Sequence, residues 1–183
     1  MQLIVGFIIV VMLITAIKMI KDGKHLGKAL FKKEYKISKA ALVASQLKKY
    51  NGHSKVITKG NIVAFITEYY VFIGLVIDET GMLLGSETSD YFVLKYGGSE
   101  KSIKNEIPYF NELVSKISSN MDGIPINKYI IVGSSTMITF NISTISMLRV
   151  SDVYYNFIRK DGKINYTPSD INRIAKILEN SLM

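Results

Sequence analysis

Cysteine is absent from this 183-residue chain, which has only two histidines and three prolines. Without thiols there is no disulfide framework, no thiolate zinc site and no cysteine nucleophile. His25 and His53 both precede the region expected to fold, so neither an imidazole metal centre nor a Ser-His-Asp site is expected. Thirteen glycines and three prolines beside 48% hydrophobic residues exclude collagen-like, low-complexity and highly charged disordered chains. Neither G-x-x-x-x-G-K-[ST] nor G-x-G-x-x-G occurs, so no nucleotide and no cofactor is expected. Gly133-Ser134-Ser135-Thr136-Met137 lacks the second glycine of a nucleophile elbow and has no histidine partner, and it reads as a loop.

What is present begins with MQLIVGFIIVVMLITAIKMI, free of charge from Gln2 to Ile17 and extended to Ile20 if Lys18 snorkels. About 19 helical residues span roughly 28 Å, close to the thickness of a bilayer core, with the backbone satisfied inside the helix. No basic n-region precedes the run and no small-residue cleavage site follows it. Residues 1–20 are therefore expected to form an uncleaved transmembrane anchor.

Residues 18–60 hold twelve lysines against Asp22 and Glu34, while residues 61–183 hold eleven basic and thirteen acidic side chains. The positive-inside bias then predicts a single-pass protein of the cell membrane, its N-terminus outside and its C-terminal domain cytoplasmic. On that topology the sequons at Asn141 and Asn165 are not expected to be glycosylated. The lysine surplus sits next to the bilayer, and the domain itself is slightly acidic. Anionic headgroups are the expected partner, contacted by Lys21, Lys24, Lys28, Lys32, Lys33 and Lys36, whereas nucleic acid is not expected. Leu26, Leu30, Ile37, Ala41 and Ala44 predict an amphipathic helix from about Gly27 to Lys49, lying on the membrane or packed on the domain, with Asn51-Gly52 ending it. Residues 21–54 thus read as a basic, partly helical juxtamembrane segment, and residues 55–183 as the domain.

Within that domain the pattern turns to strands at Val56-Ile57, Ile62 to Ile66 and the run from Tyr69 to Ile77, which lacks polar alternation and reads as a central strand buried on both faces. Met82 to Leu84 and Tyr91 to Leu94 continue the sheet beyond the turn Asp78 to Gly81. Ile103, Ile107, Phe110, Val114 and Ile117 predict a helix with Pro108 in its first turn. KYIIV (Lys128 to Val132) and MITF (Met137 to Phe140) follow as strands, and Ser151 is expected to cap a short helix through Arg159. Thr167 at N-cap, Pro168 at N1 and Asp170 at N3 announce a last helix with the stripe Ile171, Ile174, Ala175, Leu178. The fold class is mixed α/β, a central sheet flanked by helices.

This order of elements resembles the nuclease-related domain (NERD). The resemblance rests on the long buried strand, the G-x-x-x-G turn Gly81 to Gly85, Asn105-Glu106-Ile107-Pro108 opening a helix, KYIIV, and a terminal helix opened by TPSDI, over roughly residues 38 to 180. It implies a restriction-endonuclease-like fold, often preceded by an anchor, in which an Asp and a Glu hold a divalent cation and a Lys two residues beyond the Glu assists the attacking water. Transferred here, the Glu position falls at Leu75 or Gly74, the Lys position at Ile77 or Val76, and the Asp position near Asn61. None carries a charge.

Glu68, Asp78 and Glu79 are the nearest substitutes, although adjacent residues on a strand face opposite ways and no lysine lies between Asn61 and Leu94. Asp22-Gly23-Lys24, Glu34-Tyr35-Lys36 and Asp161-Gly162-Lys163 read as chance matches, and the aromatics around Tyr69 and Tyr91 as core. No catalytic and no metal residue is assigned. The expected function is a catalytically inactive, membrane-anchored interaction or scaffold module with a protein partner. The alternatives are an active metal-dependent nuclease with relocated carboxylates, and a small subunit of a membrane secretion or conjugation complex. Richness in Lys, Ile and Asn suits a low-GC bacterium.

Overall fold

The computed structural model describes residues 37–157 and 164–182, in a compact unit that begins at Ile37. The expected anchor, the six headgroup lysines, the orientation, and the matches at Asp22, Glu34 and Asp161 lie outside the described residues. Among the described residues no helix is long and apolar enough to cross a membrane.

Helix α1 (Lys39–Leu47) leads into strands β1 (Ser54–Lys59), β2 (Ile62–Thr67) and β3 (Val71–Ile77). Next come β4 (Gly81–Leu84), β5 (Tyr91–Tyr96), β6 (Ser99–Lys104) and helix α2 (Ile107–Ser119). The chain continues through β7 (Ile126–Val132), β8 (Thr136–Ile138), β9 (Ser146–Arg149), α3 (Val153–Phe157) and α4 (Pro168–Leu182). The mixed α/β class holds, but with two sheets in place of one. The first has the order β1-β2-β3-β7-β9, antiparallel from β1 to β3 and parallel from β3 to β9. The second has the order β6-β5-β4-β8.

All of β2 and β3 is buried, as the unbroken apolar run requires. One face of β3, with Val71, Ile73, Leu75 and Ile77, packs with α2, α4 and the second sheet. The other, with Phe72 and Val76, packs with α1 and α3, where Phe72 stacks on Phe157 at 4.1 Å between ring centroids. Gly74 lets β7 close on this face, since a Cβ there would lie 2.7 Å from the Ile131 side chain.

Several elements differ from their sequence expectation. Helix α1 starts at the Ser38 cap and buries Ala40, Val43, Ala44 and Leu47, leaving Ile37 and Ala41 exposed. Its phase follows the bulky Val43 and Leu47, and it packs on the sheet. Ile103 belongs to β6 opposite Phe92, because Asn105 starts a fresh turn by accepting from the Ile107 amide. Strand β6, SEKSIK, is mostly exposed and shows no apolar pattern. It forms because Gly97 and Gly98, with φ of 56° and 82°, make the tight hairpin that lays it on β5. Finally, Ser151 lies inside a single 3-10 turn (Val150–Asp152), where its hydroxyl donates to Asp152 and caps nothing.

Helix α4 begins as its sequence announces. The Thr167 amide and hydroxyl donate to Asp170 at 3.0 and 2.6 Å, and the Asp170 amide returns a bond to Thr167 Oγ1. The Thr167 hydroxyl, followed by that amide, holds the Asp170 carboxyl below its usual range.

Candidate functional site

The two ends of the β2–β3 hairpin carry the polar groups that border its apolar core. At one end, Asn61 occupies the β1–β2 turn, and its carbonyl accepts from Val76 N at 2.7 Å, placing it level with the end of β3. Asn61, Leu75 and Ile77, the positions singled out by the family resemblance, line one cleft of about 200 Å³. Phe92 of β5, Ile103 and Lys104 of β6, and Glu106 and Ile107 form its opposite side. Leu75 and Ile77 are buried, so the floor of the cleft is hydrocarbon. Gly74 and the side chain of Val76, the alternative register, belong to the opposite face of the sheet, although Val76 also borders the cleft.

The polar rim is held by the chain itself. Asn61 Nδ2 donates to Glu106 Oε2, joining the hairpin turn to the start of α2. Asp78 Oδ1 accepts from Lys39 N at 2.8 Å, so this carboxylate serves the positive end of α1. Lys39 Nζ donates to the carbonyls of Asp78 and Glu79 at 2.7 and 2.6 Å, and Thr136 Oγ1 also donates to the Glu79 carbonyl. The exit of β3 is thereby clamped between α1 and β8.

At the other end, Glu68 accepts from Tyr50 OH at 2.9 Å and from His53 N at 2.8 Å, while its carbonyl takes the Tyr166 amide at 2.6 Å. Burial pushes the Glu68 carboxyl up, but the His53 and Tyr50 bonds outweigh it and hold it below its ordinary value. Burial and then Glu68 push the Tyr50 hydroxyl well up. His53, expected outside the fold, is thus part of it.

Glu68 follows β2, whereas Asp78 and Glu79 follow β3, which runs antiparallel to it. The length of β3, at about 3.3 Å per residue, separates them by roughly 20 Å, so they cannot share an ion. Among the described residues, no three His, Cys, Asp or Glu side chains are grouped to hold a metal ion.

Sequence reasoning missed Glu106 and Lys39. Glu106 stood in the quoted segment Asn105 to Pro108, but as the opening of a helix; its meeting with Asn61, 45 residues away, has no local signature. What the cleft offers chemically is an apolar floor with the Asn61–Glu106 pair, Asp78, Glu79 and Lys104 at its rim. No family model matches the chain, and no curated protein or solved structure matches it either.

Proposed function

We propose that this protein is a membrane-anchored, non-catalytic relative of nuclease-related domains whose folded unit holds a partner in place at the membrane. The observation that carries the reading is the burial of Leu75 and Ile77 beside Asn61. With two aliphatic side chains at the Glu and Lys positions and a neutral amide at the Asp position, none of the three positions that hold the cation in that family supplies a charged ligand here. The restriction-endonuclease-like fold is supported by a mixed sheet with helices on both faces and by the convergence of those three positions. The anchor, the cytoplasmic setting and contact with anionic headgroups rest on the apolar run and lysine partition of residues 1–60.

One observation favours the second reading, a nuclease with relocated carboxylates. Glu106 touches Asn61 at the cleft, with Glu79 and Lys104 also lining it. Isothermal titration of the full-length chain with Mn²⁺, together with a DNA-cleavage assay, separates the two. The non-catalytic reading expects no saturable heat and no cleavage. Cleavage that disappears in Glu106→Gln or Glu79→Gln overturns it.

A further inference from the structure

A second groove, of about 410 Å³, opens where β5 begins and α2 starts, lined by Asp90, Tyr91, Lys104, Pro108, Tyr109 and Glu112. Tyr91 and Tyr109 are 62% and 60% exposed. Among the described residues, neither ring stacks on another aromatic ring of the chain. Two uncovered tyrosines on one groove present flat apolar faces with a hydrogen-bonding tip, the arrangement that aromatic recognition surfaces use.

The walls are tied to one another by hydrogen bonds. Beneath them Asn105, 4% exposed, donates its side-chain amide to the carbonyls of Glu87 at 2.9 Å and Ser89 at 2.7 Å. Its Oδ1 accepts from Ile107 N at 2.9 Å, and its own N–H donates to Asp90 O at 2.9 Å. One buried amide therefore locks the loop before Tyr91 to the turn that carries Tyr109. A groove fixed before its ligand arrives loses little ordering entropy on binding.

From this we infer that the groove docks a proline-rich segment of a partner protein that carries a basic residue beside its prolines. An extended polyproline helix is itself preformed, and its rings pack on exposed aromatic walls of this kind. Asp90 and Glu112 on the rim suit an Arg or Lys on the segment. Lys104, opposite Tyr91 on β6, disfavours a second positive charge at its end of the groove and so sets the direction of the peptide. The same two carboxylates repel phosphates, which argues against stacked nucleotides in spite of the tyrosines. The inference rests on the interaction-module reading and names the class of partner.

The test is a titration of the full-length chain with a short synthetic peptide repeating Pro-Pro-Arg. Saturable binding is expected, weakened about tenfold by Tyr91→Ala or Tyr109→Ala and largely kept by Tyr109→Phe. The peptide with alanine in place of proline, which requires no change in the protein, is expected not to bind. Equal binding of the alanine peptide, indifference to both Tyr→Ala changes, or no saturable binding overturns the proposal. So does binding to phosphatidylcholine vesicles that depends on the two rings and is not displaced by the peptide. Photo-cross-linkers placed at Ser102, exposed on the Lys104 side of β6 beside the groove, and at Met137 in native membranes distinguish the two levels of failure. Adducts at Met137 alone refute the groove but leave the module reading standing, and adducts at neither site count against both.

Discussion

The β2–β3 hairpin has acidic residues at both ends, and the two ends treat them differently. Glu68 is enclosed by donors from its own chain, the Tyr50 hydroxyl and the His53 amide, and it ties the α1–β1 loop to the sheet. At the Asn61 end, Glu106 bonds a single neutral amide at the edge of an open cleft whose floor is Leu75 and Ile77. A carboxylate near a sheet terminus is therefore not a site by position alone; what decides is how many of its acceptor directions the protein already fills. By that measure Glu68 is structural, and the cleft end keeps unfilled acceptor capacity, although among the described residues no three acidic or imidazole side chains are grouped there to hold a metal ion.

Three variants would break or sharpen this contrast. The largest effect is expected from Leu75→Glu combined with Ile77→Lys, which installs a carboxylate and an ammonium group in the apolar floor. Burying them without a full set of partners should cost about 3–5 kcal/mol in urea denaturation, with no cleavage gained. A double variant as stable as the natural chain would mean that the floor is wet. Glu68→Ala should cost about 1–2 kcal/mol, because the part-buried Tyr50 hydroxyl and the His53 amide lose their acceptor. Since the Glu68 carboxyl is held below its ordinary value of 4.5, its contribution is complete above that pH and fades as the pH falls through the lowered native value. Stability curves of natural and Glu68→Ala protein should accordingly converge in acid; curves that stay parallel down to full protonation would show that the bonds carry no charge-dependent stability. Smallest is Asn61→Asp, which sets a second carboxylate against Glu106 at a partly exposed site. A loss of about 0.5 kcal/mol at neutral pH, shrinking in acid, is expected in thermal melts.

The comparison also shows which parts of the protein were legible in one dimension. Thr167, Pro168 and Asp170 announce α4 because a helix cap is a local event, complete within four residues. Val71 to Ile77 announces β3 because burial on both faces leaves no room for polar alternation. Strand β6 was invisible for the opposite reason: only Ile103 turns inward, and the glycine pair that folds it back carries the signal. Residues of the candidate cleft were named as positions, but their neighbours were not. Asn61 meets Glu106, and Lys39 reaches the carbonyls of Asp78 and Glu79, across 45, 39 and 40 residues, distances over which periodicity says nothing. Nor could the sequence choose between membrane surface and sheet for α1, since an apolar stripe is sticky toward either.

The parallel pairing of β3 with β7 carries a cost in time. Everything from Gly81 to Ser119, an entire second sheet strand trio and a helix, is threaded between those two partners. During synthesis the greasiest strand of the molecule therefore waits, one edge bare, until Ile126 to Val132 have emerged to cover it. Nascent chains halted in that interval present an uncapped ladder to whatever else is in the cell, and there, more than in the finished protein, lies the hazard of mispairing and the need for an escort.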